Sequence, residues 1–207
     1  AGSYLNGEVV DSMGGGICQV STTLYNAVLR AELNVTERSP HSMTVHYVDL
    51  SEDAAIAGTY KDFKFVNSTE YPIYIEGYTT SDKKITFNIY GKETRDKNRT
   101  ISFESQMVSE TPATTILQED AGQGIGYKAV SSKGSSGYVA ELYKIVKVNG
   151  VETDRIKVNK STYKGTNRVV TYGTAGDPTL SENLRAAIAA QDEALADANI
   201  AAAVPAQ

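Results

Sequence analysis

The chain has 207 residues, with 20 Lys and Arg against 25 Asp and Glu and a formal net charge of −5. The basic residues are scattered and form no stripe that would track a phosphate backbone, so nucleic acid is not an expected partner. The single cysteine, Cys18, excludes an internal disulfide and a CxxC-type zinc site, and no apolar run reaches the ~18–20 residues of a membrane span, so no transmembrane segment is expected in this chain.

Thirteen tyrosines, no tryptophan and many alternating Val, Ile and Thr runs describe a β-rich globular protein, and the length suits two domains. The opening "SYLNGEVV" reads as two short strands around an Asn6-Gly7 hairpin turn. Its abrupt start suggests that part of the parent domain lies upstream. The glycine run Gly14–Gly16 leads into Cys18, after which Val20, Leu24, Ala27, Val28 and Ala31 repeat at helical spacing, predicting a helix from about Gln19 to Leu33. "ERSPHSMTVHYVDL" is a proline-bounded entry into a strand. "DFKFVNSTEYPIYIEGYTTSDKKITFNIYG" predicts a three-stranded meander with turns at Asn67-Ser68 and Ser81-Asp82.

The charged run "KETRDKN" after Gly91 reads as a linker. Beyond it come short polar strands punctuated by glycine, with Asn149-Gly150 a second hairpin signal. Polar residues on both strand faces predict a thin, weakly cored module. The alanine-rich end predicts one helix from about Ser181 to Ala202, with Ser181 as N-cap and Leu184, Ile188 and Leu195 on one narrow stripe.

Five stretches carry a resemblance to known families. "GGGICQVSTTLYNAVLRAEL", "ERSPHS" and "DFKFVNSTEYPIYIE", with Asp53-Ala54 between the last two, resemble the VanW-like family over roughly residues 1 to 91; that family tends to show Gly-Arg-Asp-Ala-Thr where this chain has "SEDAA". "GYVAELYKIVKVNGVETDRIKV" and "NRVVTYGT" resemble the G-five (G5) domain, an extracellular module of bacterial wall-associated proteins. The division expected is a VanW-like domain at 1–91, a linker at 92–99, a G5-like β domain at 100–175 and an alanine-rich helix or tail at 176–207. The fold class is α+β: one main helix packed on an antiparallel sheet, then an elongated all-β G5 module and a C-terminal helix. The resemblance implies peptidoglycan or cell-wall amino sugars such as N-acetylglucosamine as partners, and an extracellular place at the cell surface or wall of a Gram-positive bacterium, the parent being secreted or anchored upstream.

Cys18 is the residue with most chemical promise. A thiol at a helix start feels unpaired backbone N–H groups and the positive end of the helix dipole, both of which favour thiolate. Gly15, Gly16 and Gln19 stand where they would bind substrate or supply an oxyanion with N–H donors. His41 is the expected base, with Asp53 or Asp62 orienting it in a Cys–His–Asp arrangement. This order is also analogous to transglutaminase-like and papain-like thiol folds. His46 competes for the base role; in an extended segment it would lie on the face opposite His41, and His41 is preferred as part of the proline–histidine–serine motif. Against this stands the plainer reading, in which Cys18 is a small buried apolar residue and His41 a hydrogen-bonded structural one.

Of the remaining residues, Ser21, Thr22 and Thr23 are read as bonding local carbonyls. Glu32 and Glu37 read as solvated charges. Tyr71, Tyr74, Tyr78 and Tyr90 suit a sugar platform but more often make core or cross-strand pairs. No cofactor or metal is expected, because two histidines five residues apart do not converge with carboxylates. Two functions follow: a Cys-dependent acyl- or amide-transfer enzyme acting on peptidoglycan peptides, or a non-catalytic peptidoglycan- or N-acetylglucosamine-binding module.

Overall fold

The computed structural model describes residues 2–5, 8–11 and 16–203, with side chains described from Gly16 onward. The elements run β1 Gly2–Leu5, β2 Glu8–Asp11, α1 Ile17–Arg30, β3 Asn34–Glu37, β4 Lys64–Val66, β5 Tyr74–Thr79, β6 Ile85–Tyr90 and β7 Arg99–Thr111. They continue with β8 Thr115–Gly124, β9 Lys128–Ser135, β10 Gly137–Val148, β11 Val151–Tyr163, β12 Thr166–Ala175, α2 Pro178–Ala189 and α3 Glu193–Ala203. The fold is α+β. Two compact units emerge, residues 1–110 with 138–164 and residues 111–137 with 165–207.

In the first unit β1 pairs antiparallel with β2 from Leu5 opposite Glu8, while the expected turn residues Asn6 and Gly7, like Gly14 and Gly15, lie outside the described residues. The three-stranded meander does not form. β4 pairs with β3, and only β5 and β6 make a hairpin, because residues 67–73 are held off as a loop by Asn67, whose Oδ1 accepts from Thr69 N and whose amide donates to Tyr71 O. Gly77 of β5 faces the Phe87 ring of β6, where a Cβ would stand 2.5 Å from the ring, so glycine is what lets that ring lie across the hairpin.

Helix α1 turns a different face inward from the one predicted. Val20 is exposed, and the buried positions are Ser21, Thr22, Tyr25, Val28 and Leu29. The reason is polar. Ser21 Oγ donates to Ala54 O at 2.6 Å, Thr22 Oγ1 accepts from Ala54 N at 3.0 Å, and Asn26 donates to Glu52 O at 2.8 Å, so the helix is stitched to the chain at 52–54. Of the three hydroxyls, only Thr23 bonds purely within the helix, to Gln19 O. Tyr25, Leu29 and Ala54 share a core with Leu142 of β10, flanked by Phe63, Phe103 and Val158.

β10 lies between β7 and β11. Asn149-Gly150 makes the predicted hairpin turn into β11 with both φ angles positive, 52° and 81°. The register of this pair slips between Leu142 and Tyr143, where the partners jump from Asn159 to Lys157 and leave Val158 as a bulge.

In the second unit β12 pairs parallel with β8 and antiparallel with β9. The single C-terminal helix expected is two helices. Asp177 caps α2, accepting from Thr179 N and Leu180 N, whereas Ser181 is buried inside the helix and donates to Thr174 O at 2.7 Å. The chain breaks at Gln191, whose positive φ of 56° turns its side chain back to bond both Leu117 N and Leu117 O. Leu184, Ala187 and Ile188 of α2 and Ala196 of α3 pack with Leu117, Val170 and Tyr172, while Leu195 is exposed.

Glu32, expected to be a solvated charge, is an ionic hub just past α1. It meets Arg95 at 3.0 Å, Arg99 at 2.5 Å and Lys144 at 3.0 Å, with its side chain only 14% exposed. The Arg99 hydrogen bond, with those of Lys144 and Arg95, overcomes partial burial and lowers the Glu32 carboxyl from 4.5 to about 2. A depressed carboxylate contributes stability above its unfolded value and loses it as pH falls through the folded one. Glu32→Gln should therefore lower stability at pH 7 by roughly 1–2 kcal/mol. Denaturant melts of the two proteins should converge as pH falls from about 4.5 towards 2.

Candidate functional site

The site is assembled from α1, the loop 38–41, the strap 51–56 and β11. Residues 41–48 are loop and bends, so the expected strand after Pro40 is absent. Strand parity therefore has no bearing on which histidine is used. What selects His41 is a buried carboxylate. Asp53 has no exposed surface, and its Oδ2 accepts from His41 Nδ1 at 2.7 Å and from the His41 backbone N–H at 2.6 Å. His46 is exposed.

An ionised carboxylate can only accept, so Nδ1 carries a proton and Nε2 is left as the acceptor in the neutral ring. Tyr47 OH lies 3.4 Å from Nε2, and the rings of Tyr47 and His41 meet edge to face with centroids 6.2 Å apart. The thiol of Cys18 is half-buried, 3.5 Å from Ile56 O. Hydrogen bonding with His41 lowers the Cys18 pKa against the opposing effect of burial, and the charges of His41 and Lys61 add to the lowering. Lys61 is held there by its donation to Pro40 O at 2.7 Å. Burial disfavours charge on His41, but the hydrogen bonds to Asp53 and Cys18 outweigh it and raise the imidazole from 6.5 to about 9. The pair therefore favours thiolate and imidazolium.

The helix start supports the same charge. Gly16 is the N-cap with no side-chain cap, and the first turn of α1 holds no acidic residue to neutralise the dipole. Gly16 O accepts from Gln19 N and Val20 N, and a side chain at Gly16 would point into open space. Gln19 is exposed beside the thiol, and Gly15 lies outside the described residues. Asp62 is not brought to His41: it accepts from its own neighbour Phe63 N at 2.8 Å and pairs with Lys64 at 3.4 Å.

Burial works against the Asp53 charge, and hydrogen bonds from His41 and Tyr163 with the charge of Arg38 more than offset it, so its pKa is lowered. Arg38 Nη2 and Tyr163 OH meet Asp53 Oδ1 at 2.8 and 2.6 Å. Burial and then the Asp53 charge push the Tyr163 phenol up to about 12, which keeps it protonated and donating. The sequence reading missed Arg38, though it stands inside "ERSPHS", and Tyr163, 110 residues from its partner, had no local signal. A cleft of about 830 Å³ lies at the other end of α1, lined by Ala31, Tyr71, Phe87 and Lys92, and none of Cys18, His41 or Asp53 reaches it. Among the described residues no group of three or more His, Cys, Asp or Glu is placed to hold a metal, and no helix is long and apolar enough to cross a membrane.

Residues 1–90 match the family model described as VanW like protein, and residues 103–175 match that of the G5 domain. The chain is a VanW-like domain followed by a G5 domain. Over 71 residues it is 45% identical to the uncharacterized protein YoaR of Bacillus subtilis (strain 168), a match covering 34% of this chain and 23% of YoaR. The chain therefore spans about a quarter of that relative's length. Among solved structures, the G5 domain of an IgA1 protease aligns with 24% identity over 41% of this chain and 100% of its own, at a TM-score of 0.29. The crystal structure of HP0197-G5 aligns with 20% identity over 36% of this chain and 97% of its own, at a TM-score of 0.24. The VanW-like and G5 domains support a cell-wall-associated protein.

If His41 holds Cys18 as thiolate, native-state alkylation by iodoacetamide should remain rapid below pH 8.5, the ordinary midpoint of a thiol being about 8.5. His41→Ala should slow it at pH 7 by roughly tenfold or more, since most of the thiolate is lost when the midpoint returns to that value. His46→Ala should leave it unchanged. Equal rates in all three proteins would show that no imidazole governs the thiol.

Proposed function

We propose that the VanW-like domain is a thiol-dependent acyl- or amide-transfer enzyme acting outside the cell on peptidoglycan peptides. Cys18 is the nucleophile, His41 the acid and base, and Asp53 the group that orients His41. The observation that carries this reading is the 2.7 Å bond between Asp53 and His41 Nδ1, with His41 in turn lowering the pKa of the Cys18 thiol. An inert packing cysteine needs no such partner.

In the reaction proposed, the Cys18 thiolate attacks the carbonyl carbon of an amide, and the electron pair of the C=O bond moves to oxygen. The tetrahedral intermediate collapses as the C–N bond breaks, and the proton on His41 Nε2 passes to the leaving amine. A thioester remains on Cys18. Water or an acceptor amine then gives a proton to His41 and attacks the thioester carbon, and the C–S bond breaks to release the acylated product and the thiolate. Backbone N–H groups at the start of α1 are the donors suited to the oxyanion. Asp53 stays ionised throughout and holds the imidazolium in place.

A second reading is a non-catalytic module binding peptidoglycan or N-acetylglucosamine. It is favoured by one face of the β5–β6 hairpin, where Tyr74, Tyr78 and Tyr90 are 65%, 46% and 53% exposed. Tyr74 and Tyr90 stack across the strands with centroids 6.1 Å apart, and Glu76 between them accepts from Asn88 and Tyr90. Aromatic faces beside a carboxylate suit the C–H face and hydroxyls of a sugar.

The two readings separate on one experiment. Incubation with purified wall stem peptides should yield an acyl adduct on Cys18 detectable by intact-mass spectrometry, absent in Cys18→Ala. Retention of wall material with no adduct and no change in the peptides would reject the enzyme and leave the binding module.

A further inference from the structure

We propose that Asn159, Ser161 and Tyr163 of β11 are positioning residues for the Cys18–His41–Asp53 group, making the G5 segment a working part of the site. The inference rests on the thiol reading above. Asp53 falls inside the VanW match at 1–90, and all three β11 residues fall inside the G5 match at 103–175. They nevertheless belong to one compact unit and to one buried hydrogen-bond network.

Alternate residues of a strand share a face, and the bulge at Val158, immediately before Asn159, is the kind of irregularity that re-aims the side chains that follow it. Tyr163 OH donates to Asp53 Oδ1 at 2.6 Å and accepts from Ser51 N at 2.7 Å. Ser161 Oγ accepts from Arg38 Nη1 at 2.7 Å, and the same guanidinium donates through Nε to Asp53 O at 2.6 Å and through Nη2 to Asp53 Oδ1 at 2.8 Å. Asn159 donates to Ser51 O at 3.0 Å and to Tyr25 OH at 2.9 Å. Ser51 Oγ adds a bond to Ala140 O of β10 at 3.0 Å. Ser51 and Asp53 are 0% exposed, Ser161 1% and Tyr163 2%, so water cannot replace a lost partner.

The division of labour on the carboxylate is what makes these residues matter. Oδ2 is occupied by the two N–H groups of His41, so the orientation of the carboxylate is fixed from the other oxygen, by Arg38 and Tyr163. Loss of the Tyr163 hydroxyl removes one of those two donors. It also leaves the buried Ser51 N–H without an acceptor, two residues before Asp53, which disturbs the strap itself. A loosened Asp53 holds His41 less well, and the thiolate loses its counter-ion.

The test is the pH dependence of Cys18 alkylation by iodoacetamide in the full chain, with melting temperatures measured alongside. Wild type, His41→Ala, Tyr163→Phe and Ile156→Ala are compared, the last being a partly exposed β11 position outside the network. Tyr163→Phe should move the alkylation midpoint upward, part of the way to that of His41→Ala, and slow alkylation at pH 7 by roughly tenfold, as loss of a group that orients a reactive ligand commonly does. Ile156→Ala should leave the midpoint in place. If Tyr163→Phe fails to fold, Ser161→Ala should show the same upward shift, smaller in size. A lowered melting temperature with the midpoint unmoved would reduce β11 to a structural support and overturn the inference while leaving the thiol reading intact. A wild-type midpoint equal to that of His41→Ala would sink the thiol reading and this inference with it.

Discussion

The candidate site in the first unit is arranged around a carboxylate that has no access to water. An isolated buried carboxylate costs several kcal/mol after relaxation, and it stays ionised only if its lone pairs are filled by well-placed donors. Asp53 has four such contacts, from the backbone and ring of His41, from Arg38 and from Tyr163. No single element of the fold supplies them. The loop 38–41 must come alongside the strap 51–55, as the bond from Ala55 N to Ser39 O shows, and β11 must close over both. The shared core of Tyr25, Leu29, Ala54 and Leu142 brings these segments together, and the polar network fixes their register.

The strap is held under some constraint of its own. Ser51 adopts a positive φ of 68°, a conformation that non-glycine residues visit only when the surroundings insist. Here the surroundings are Tyr163, Asn159 and Ala140 on one side and, three residues on at Ala54, the Ser21 and Thr22 hydroxyls of α1 on the other. The strap is clamped between the helix that carries the thiol and the strand pair of the G5 segment. This explains why the inward face of α1 carries Ser21 and Thr22 alongside Tyr25, Val28 and Leu29.

The legible part of the site was the part encoded locally. Cys18 after a glycine run at a helix start, and His41 in a proline–histidine–serine motif, follow from residue types within a few positions of one another. So does the Asn149-Gly150 turn. Asp53 and Asp62 were indistinguishable by sequence, since each is an aspartate a short way beyond His41; what separates them is that Asp53 is enclosed while Asp62 turns to Phe63 and Lys64. The strand expected after Pro40 fails because Lys61 Nζ takes Pro40 O and Asp53 takes His41 N, so loop groups that would enter a ladder are bonded elsewhere. The helix face was misjudged because hydropathy spacing cannot see that a serine and a threonine have carbonyl and amide partners more than thirty residues away.

The two ends of α1 carry charge in opposite ways. Its N-terminus is left without acidic residues and without a side-chain cap, so the positive end of the dipole is unopposed where the thiol sits. Its C-terminus is followed by Glu32, a charge the dipole disfavours there, and three cations from β7, β10 and the segment before β7 gather on that carboxylate. Arg95 ties the 92–98 stretch to the end of the helix. Capping the N-terminus with an aspartate at Gly16 would strengthen the helix by only about a few tenths of a kcal/mol, glycine being itself a tolerated N-cap. It would also place a negative charge beside the Cys18 sulfur and oppose the lowering of its pKa, whereas glycine, with open space where a side chain would go, leaves the positive end of the dipole uncovered.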